Sequence, residues 1–122
     1  MSDINTTVHN YIAAWNETLP EERRAIIAET FADDARYVDP LQSGDGQAGI
    51  DAMITGAQTQ FPGMRFELSQ GPDAHHDVVR FGWELVPAAG GESVAIGFDV
   101  AVAGEDGRIG SVIGFLDKAP AA

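Results

Sequence analysis

The sequence predicts an α+β fold in which three helices gather on one side of an antiparallel sheet. Two observations predict it. In the first half apolar residues recur every three or four positions, and in the second half they alternate with polar or small ones. A third observation narrows it: the alternating runs are joined by short turn-forming segments, so the strands meander as neighbours. No internal repeat or linker interrupts residues 1–122, which read as a single domain with a loose tail from about residue 118.

Each element has its own signature. Val8, Tyr11, Ile12 and Trp15 fall at i, i+3, i+4 and i+7, one stripe of a first helix. A second helix opens at Thr18-Leu19-Pro20-Glu21, where Thr18 can cap, Pro20 suits a first turn and Glu21 completes a capping box. Its apolar face is Ile26, Ile27, Thr30 and Phe31, and it ends near "ADDA". Arg36, Tyr37 and Val38 form a short extended run that closes on Asp39-Pro40. "GDGQAG" lacks the spacing of a phosphate-binding loop and reads as an ordinary loop. Ile50, Met53, Ile54, Ala57 and Phe61 make a third helix, stopped by Pro62-Gly63.

Four strands follow. Met64, Phe66 and Leu68 alternate with Arg65, Glu67 and Ser69, and Val79, Phe81, Trp83 and Leu85 share one face of the next run. Val94, Ile96, Phe98, Val100 and Val102 then alternate with Ser93, Ala95, Gly97, Asp99 and Ala101. Glu105-Asp106-Gly107 signals a hairpin into a last strand from Arg108 to about Leu116.

Charge and composition exclude several function classes. Nineteen acidic residues against seven basic give a net charge of −12, which repels phosphate backbones and anionic lipid surfaces. No basic stripe interrupts it, so neither nucleic acid nor membrane is expected as a partner. Cysteine is absent, which removes disulfides and thiolate metal sites. The N-terminal stretch has no basic region and no long apolar run, so a cytoplasmic location is the expectation.

Asp99 is the most informative residue of the sheet. It stands mid-strand between Gly97 and Ala101 on its own face, whose small side chains leave a hollow beside it. Either that face is wet, or the carboxyl is buried and must pair or keep its proton. Tyr11, on the apolar stripe of the first helix, needs a partner for its hydroxyl. Asp39 is either a turn-former or a functional acid. His75 and His76 are adjacent, so on a strand they point to opposite faces, and His9 is remote. No metal site, dinucleotide fingerprint or other cofactor site is expected. Arg80 is expected to pair at the surface.

"VHNYIAAWN", "ETFADDARYVDP", "GIDAMI" and "GFDVAVAGEDGRIGSVIGF", taken in order, resemble the SnoaL-like and ketosteroid isomerase branch of the nuclear transport factor 2-like superfamily. The resemblance spans nearly the whole chain. It implies a cone-shaped barrel, with three helices on a curved, mainly antiparallel sheet around an apolar pocket, and a homodimer paired through the outer sheet face. Steroid isomerases use a tyrosine on the first helix, an aspartate before a proline and an aspartate on a late strand; the matching residues are Tyr11, Asp39 and Asp99. On that likeness Asp39 is the base, while Tyr11 and a protonated Asp99 donate to an oxyanion, a mechanism already worked out for that enzyme. Trp15, Phe31, Ile54 and Trp83 would line the pocket. Ile54 stands where those enzymes carry a further tyrosine, and the two tryptophans take volume that a steroid needs. The resemblance thus implies a small apolar ligand or substrate. Polyketide cyclases of the superfamily use an acid often joined by a histidine, for which His76 is the candidate. A module of this fold that binds or dimerises without catalysis is the third expectation.

Overall fold

A computed structural model of the chain describes residues 3–119. Helix α1 (Ile4–Asn16) begins where Asp3 Oδ1 accepts the Asn5 N–H, and its buried stripe is Thr7, Val8, Tyr11, Ala14 and Trp15. Helix α2 (Pro20–Thr30) starts without a side-chain cap: Leu19 occupies the cap position, so Thr18 lies one residue too early for the expected box. Pro20, preset for a first turn, and the acidic pair Glu21 and Glu22 at the positive end of the helix dipole serve instead.

The chain passes from Thr30 straight into strand β1 (Phe31–Val38), so Phe31 belongs to the sheet and not to α2. Its alternation is masked at Asp33 and Asp34, both exposed, where the register shifts between Phe31 and Arg36. "GDGQAG" is not a loop either. It spans the end of strand β2 (Ser43–Asp45) and the first turn of α3 (Gly46–Gln60). Gly46, at φ +72°, makes the reversal, and Gly44 packs against Gly49, whose carbonyl oxygen would stand 3.0 Å from a Cβ at 44.

Strands β3 (Met64–His75), β4 (Val78–Pro87), β5 (Ala95–Ala103) and β6 (Ile109–Lys118) form the expected meander. Two strands extend that meander, β2 and the β1 of which Arg36–Val38 is the end, and the six lie in the order β2-β1-β6-β5-β4-β3. β1 lies parallel to β6, and every other pairing is antiparallel. The parallel contact is possible because most of the chain intervenes between these two strands. Lys118 ends β6 and donates from Nζ to the Ser93 carbonyl at 2.6 Å, while the rest of the expected tail, from residue 120, lies outside the described residues. Arg80 pairs at the surface with Asp73, at 3.0 Å.

The helices cover the sheet face that carries Ala35 and Tyr37 of β1, Phe81 of β4, Asp99 and Ala101 of β5 and Val112 of β6, all buried. Arg23 clamps the helices together beneath them. Only 3% exposed, it donates to Asp51 Oδ1 at 2.6 Å, to Thr55 Oγ1 at 2.8 Å, to Gln58 Oε1 at 3.0 Å and to the Glu17 carbonyl at 3.1 Å. A buried guanidinium is tolerable because its donors are matched, and breaking such a pair by removing one partner costs about 3–5 kcal/mol. Among the described residues no helix is long and apolar enough to cross a membrane.

Candidate functional site

Small residues on the inner face of β5 leave a hollow under α1. A cavity of about 60 Å³ opens there, its wall mostly apolar, with polar groups contributed by Tyr11, Tyr37, Asp39 and Asp99. Trp15 and Trp83 line it as well, and Leu41, 67% exposed, stands at its rim.

Asp99 is 1% exposed, which settles the open question of its face. The Tyr11 hydroxyl donates to its Oδ2 at 2.7 Å, across 88 positions of sequence. Its Oδ1 is buried and has no partner among the described residues. Burial pushes this carboxyl up from 3.8 to about 6; the hydrogen bond from Tyr11 and the nearby Trp83 indole oppose the rise, and the charge of Asp39 adds to it. Burial, and then the charge of Asp99, hold Tyr11 well above the ordinary phenol range, so its hydroxyl remains a donor at any physiological pH.

Asp39 is both a turn-former and a pocket residue. Oδ1 accepts the backbone N–H groups of Leu41 (2.8 Å) and Gln42 (3.0 Å), closing the turn after β1. Oδ2 accepts the hydroxyl of Tyr37 at 2.5 Å. Tyr37 was not singled out by the sequence, although a legible signal existed: in an extended run, residues 37 and 39 point to the same face. It is 4% exposed, and burial, the Asp99 charge and the bond to Asp39 all push its hydroxyl above the ordinary range.

The two tyrosine–aspartate pairs meet over a bare glycine. Gly114 lies opposite Asp99 in the β5–β6 ladder. A Cβ there would stand 2.8 Å from Asp99 Oδ1, 3.1 Å from Asp39 Cβ and 3.5 Å from the Tyr37 hydroxyl. Any side chain at 114 would therefore intrude between the carboxylates.

Tyr11, Asp39, Asp99, Trp15 and Trp83 thus share one pocket, and three expected residues do not join them. Phe31 is buried behind the wall, its ring 5.7 Å from that of Tyr11. Ile54 is fully buried in the core, because its stripe on α3 reaches the cavity only further along, at Ala57 and Phe61. His76 is exposed in the turn between β3 and β4 at φ +53°, away from the pocket, so it cannot serve a cyclase-type site there. That backbone twist also overrides strand alternation and brings the Nδ1 atoms of His75 and His76 within 3.0 Å. Among the described residues no three metal-ligating side chains cluster.

The chain has known relatives. Residues 8–112 match the model of the SnoaL-like domain. A crystal structure from Agrobacterium tumefaciens str. C58, provisionally named an isomerase of the SnoaL-like family, is 46% identical. It superposes with a TM-score of 0.89, covering 96% of this chain and 99% of that one. Two more distant structures share the fold. A nuclear transport factor 2-like protein from Exiguobacterium sp. 255-15 is 19% identical, with a TM-score of 0.71 over 91% of this chain and 98% of its own. A protein from Jannaschia sp. CCS1, provisionally named a SnoaL-like polyketide cyclase, is 17% identical, with a TM-score of 0.69 over 96% of this chain and 90% of its own. No curated protein matches. A family match over most of the chain, joined to a near-full-length likeness at 46% identity, makes this protein a member of the SnoaL-like family, with the nuclear transport factor 2-like fold.

Proposed function

We propose that the protein is a cofactor-independent acid–base enzyme that moves a proton next to a ketone. One observation carries the reading: Asp99, buried on the cavity wall and bonded to Tyr11, keeps an oxygen with no partner among the described residues, and Asp39 lines the same cavity. A carboxyl so placed is costly unless a ligand group completes it.

In this reading Asp39 Oδ2 turns from Tyr37 and takes a proton from the carbon beside the carbonyl. The electron pair left behind forms a carbon–carbon double bond, and the carbonyl π pair moves onto oxygen. Tyr11 turns its hydroxyl from Asp99 Oδ2 and, with protonated Asp99, donates to that oxyanion, and Asp39 returns its proton to a different carbon. The provisional name of the Agrobacterium relative agrees with this chemistry.

A second reading rests on a different observation. Both oxygens of Asp39 are already bonded, whereas Asp99 Oδ1 has no partner among the described residues. Asp99 would then be the general acid–base group of a cyclase-type reaction, and Asp39 a structural turn residue. The provisional name of the Jannaschia structure fits it.

Either reading predicts that the protein exchanges the acidic C–H protons of small unsaturated ketones with deuterated solvent. By proton NMR, we expect exchange at least about 100-fold above buffer. Exchange at the buffer rate throughout pH 5–8 would leave a binding or dimerisation module.

We also propose a homodimer through the outer sheet face. Val38, Ile113 and Phe115 are 49%, 46% and 54% exposed there, and the register places Ile113 beside Val38 and Val100, and Phe115 beside Phe98. Sedimentation equilibrium at micromolar concentration should return twice the 12.9 kDa chain mass, and Phe115→Glu should halve it. A wild-type chain that sediments as a monomer rejects the interface.

A further inference from the structure

Trp83 and Gly97 are cross-strand partners in the β4–β5 ladder. The indole lies over the glycine so closely that a Cβ at 97 would stand 2.1 Å from Cζ2, 2.4 Å from Cε2 and 2.8 Å from Cη2. No side chain fits at 97 while the indole is in place, so Trp83 fills the space that residue 97 leaves empty. Its position is held from the other side. Phe66 meets Trp83 edge-on at 5.5 Å, and Trp15 meets Phe66 edge-on at 5.1 Å, so three aromatic rings brace one another along the cavity wall.

The consequence is a matter of volume. The cavity measures about 60 Å³ with the indole in place. An apolar cavity that holds a benzene ring is about 150 Å³. The space beside Tyr11 and Asp99 therefore admits a carbonyl group and a few attached carbons. A fused ring system with its oxygen at Tyr11 and Asp99 must either protrude past the rim at Leu41 or displace the indole, and with it the contacts to Gly97 and Phe66.

We propose that Trp83, seated on Gly97, is the specificity-determining residue that confines the site to compact enolisable carbonyl compounds, such as short enones and 1,3-dicarbonyls, and shuts out fused rings. This rests on the acid–base reading above, since it takes the carbonyl end of the substrate to lie at Tyr11 and Asp99. Removing the indole would open the space over Gly97, lengthening the pocket along β5 and leaving the Tyr11–Asp99 hydrogen bond in place.

Two planar probes test it by calorimetric titration. Acetylacetone, through its planar enol, is a compact mimic of the enolate, and 2-naphthol presents the same kind of oxygen on two fused rings. Wild type should bind acetylacetone more tightly. In Trp83→Ala the ratio of naphthol to acetylacetone affinity should rise at least about tenfold, as expected when a second ring becomes buried. Trp83→Leu, which keeps an apolar side chain against Phe66, should move the ratio the same way by less and covers the case in which the alanine variant is misfolded by circular dichroism. A ratio unchanged in both variants, or a wild type that already favours naphthol, overturns the specificity role. If ketone proton exchange persists in that case, the acid–base reading survives. Failure of wild type and both variants to bind either probe overturns the specificity role as well, and joined to absent exchange it removes the acid–base reading with it.

Discussion

Asp39→Asn is expected to slow ketone proton exchange by about 10³-fold, within the range that a positioned general base supplies, while leaving the protein folded. The substitution is selective because Asp39 has two separable jobs. Asparagine keeps an oxygen that can accept the N–H groups of Leu41 and Gln42, so the turn closing β1 survives. Its amide nitrogen then faces Tyr37, whose hydroxyl can rotate to accept instead of donate. What disappears is the ionised oxygen able to take a proton. Urea unfolding should therefore shift by no more than about 1 kcal/mol, the net worth of one altered hydrogen bond. Exchange rates by NMR, measured beside that unfolding curve, separate loss of chemistry from loss of structure. Tyr37→Phe provides the companion measurement: it releases Asp39 Oδ2 without removing the carboxylate, so exchange should persist with an altered rate. If Asp39→Asn exchanges at the wild-type rate, the base is elsewhere, and Asp99 is the group that the geometry offers.

The stripe of α1 and the alternation of β4 and β5 were legible because each buries one regular face, and regular burial leaves a period in the sequence. Where the face is irregular the signal vanishes. Asp33 and Asp34 interrupt β1 with two exposed carboxylates, so the strand seemed to begin at Arg36 when it begins at Phe31. Gly46 turns β2 into α3 with a backbone conformation that periodicity does not encode. β5 taught a different lesson. Its more apolar side, with Ile96, Phe98 and Val100, faces outward, and its small-residue side, with Asp99, faces the helices. The period was readable, but the choice of face depends on what packs against it, which lies outside the strand. The site shows the same division. Tyr11, Asp39 and Asp99 could be singled out by residue type and neighbours, but the bond between Tyr11 and Asp99 joins positions that no local pattern connects. Ile54 and Ala57 share one helical stripe, and only the depth of α3 in the fold decides that Ala57 and not Ile54 reaches the cavity.

Asp99→Asn should change both the pH dependence of stability and that of turnover, and the second change decides between the two chemical readings. Folding raises this carboxyl from 3.8 to about 6, chiefly by burial. The sign follows directly. Between about pH 4 and pH 6 the folded protein binds more protons here than the unfolded chain, so stability falls as pH rises, and above about 6 the full cost of a buried charge is present. That cost is on the order of 3 kcal/mol, the free-energy equivalent of the shift. Asparagine carries no such charge, so the stability of Asp99→Asn relative to wild type should grow by that order from pH 4 to pH 7 in urea titrations. The groups facing Asp99 are Tyr11 from α1, Tyr37 from β1, Trp83 from β4 and Asp39 after β1. Both phenols are held above the ordinary range and do not titrate in this window, and Trp83 carries no titratable group. Repeating the titration in Asp39→Asn removes the remaining neighbouring charge. A donor to an oxyanion must hold its proton, so if Asp99 has that role, kcat/KM falls as pH rises through about 6. A proton acceptor must have lost it, so if Asp99 is the base, kcat/KM rises through the same value. A profile flat across that region, in a protein whose stability does show the Asp99 titration, would mean that this carboxyl takes no part in the chemistry and only shapes the pocket.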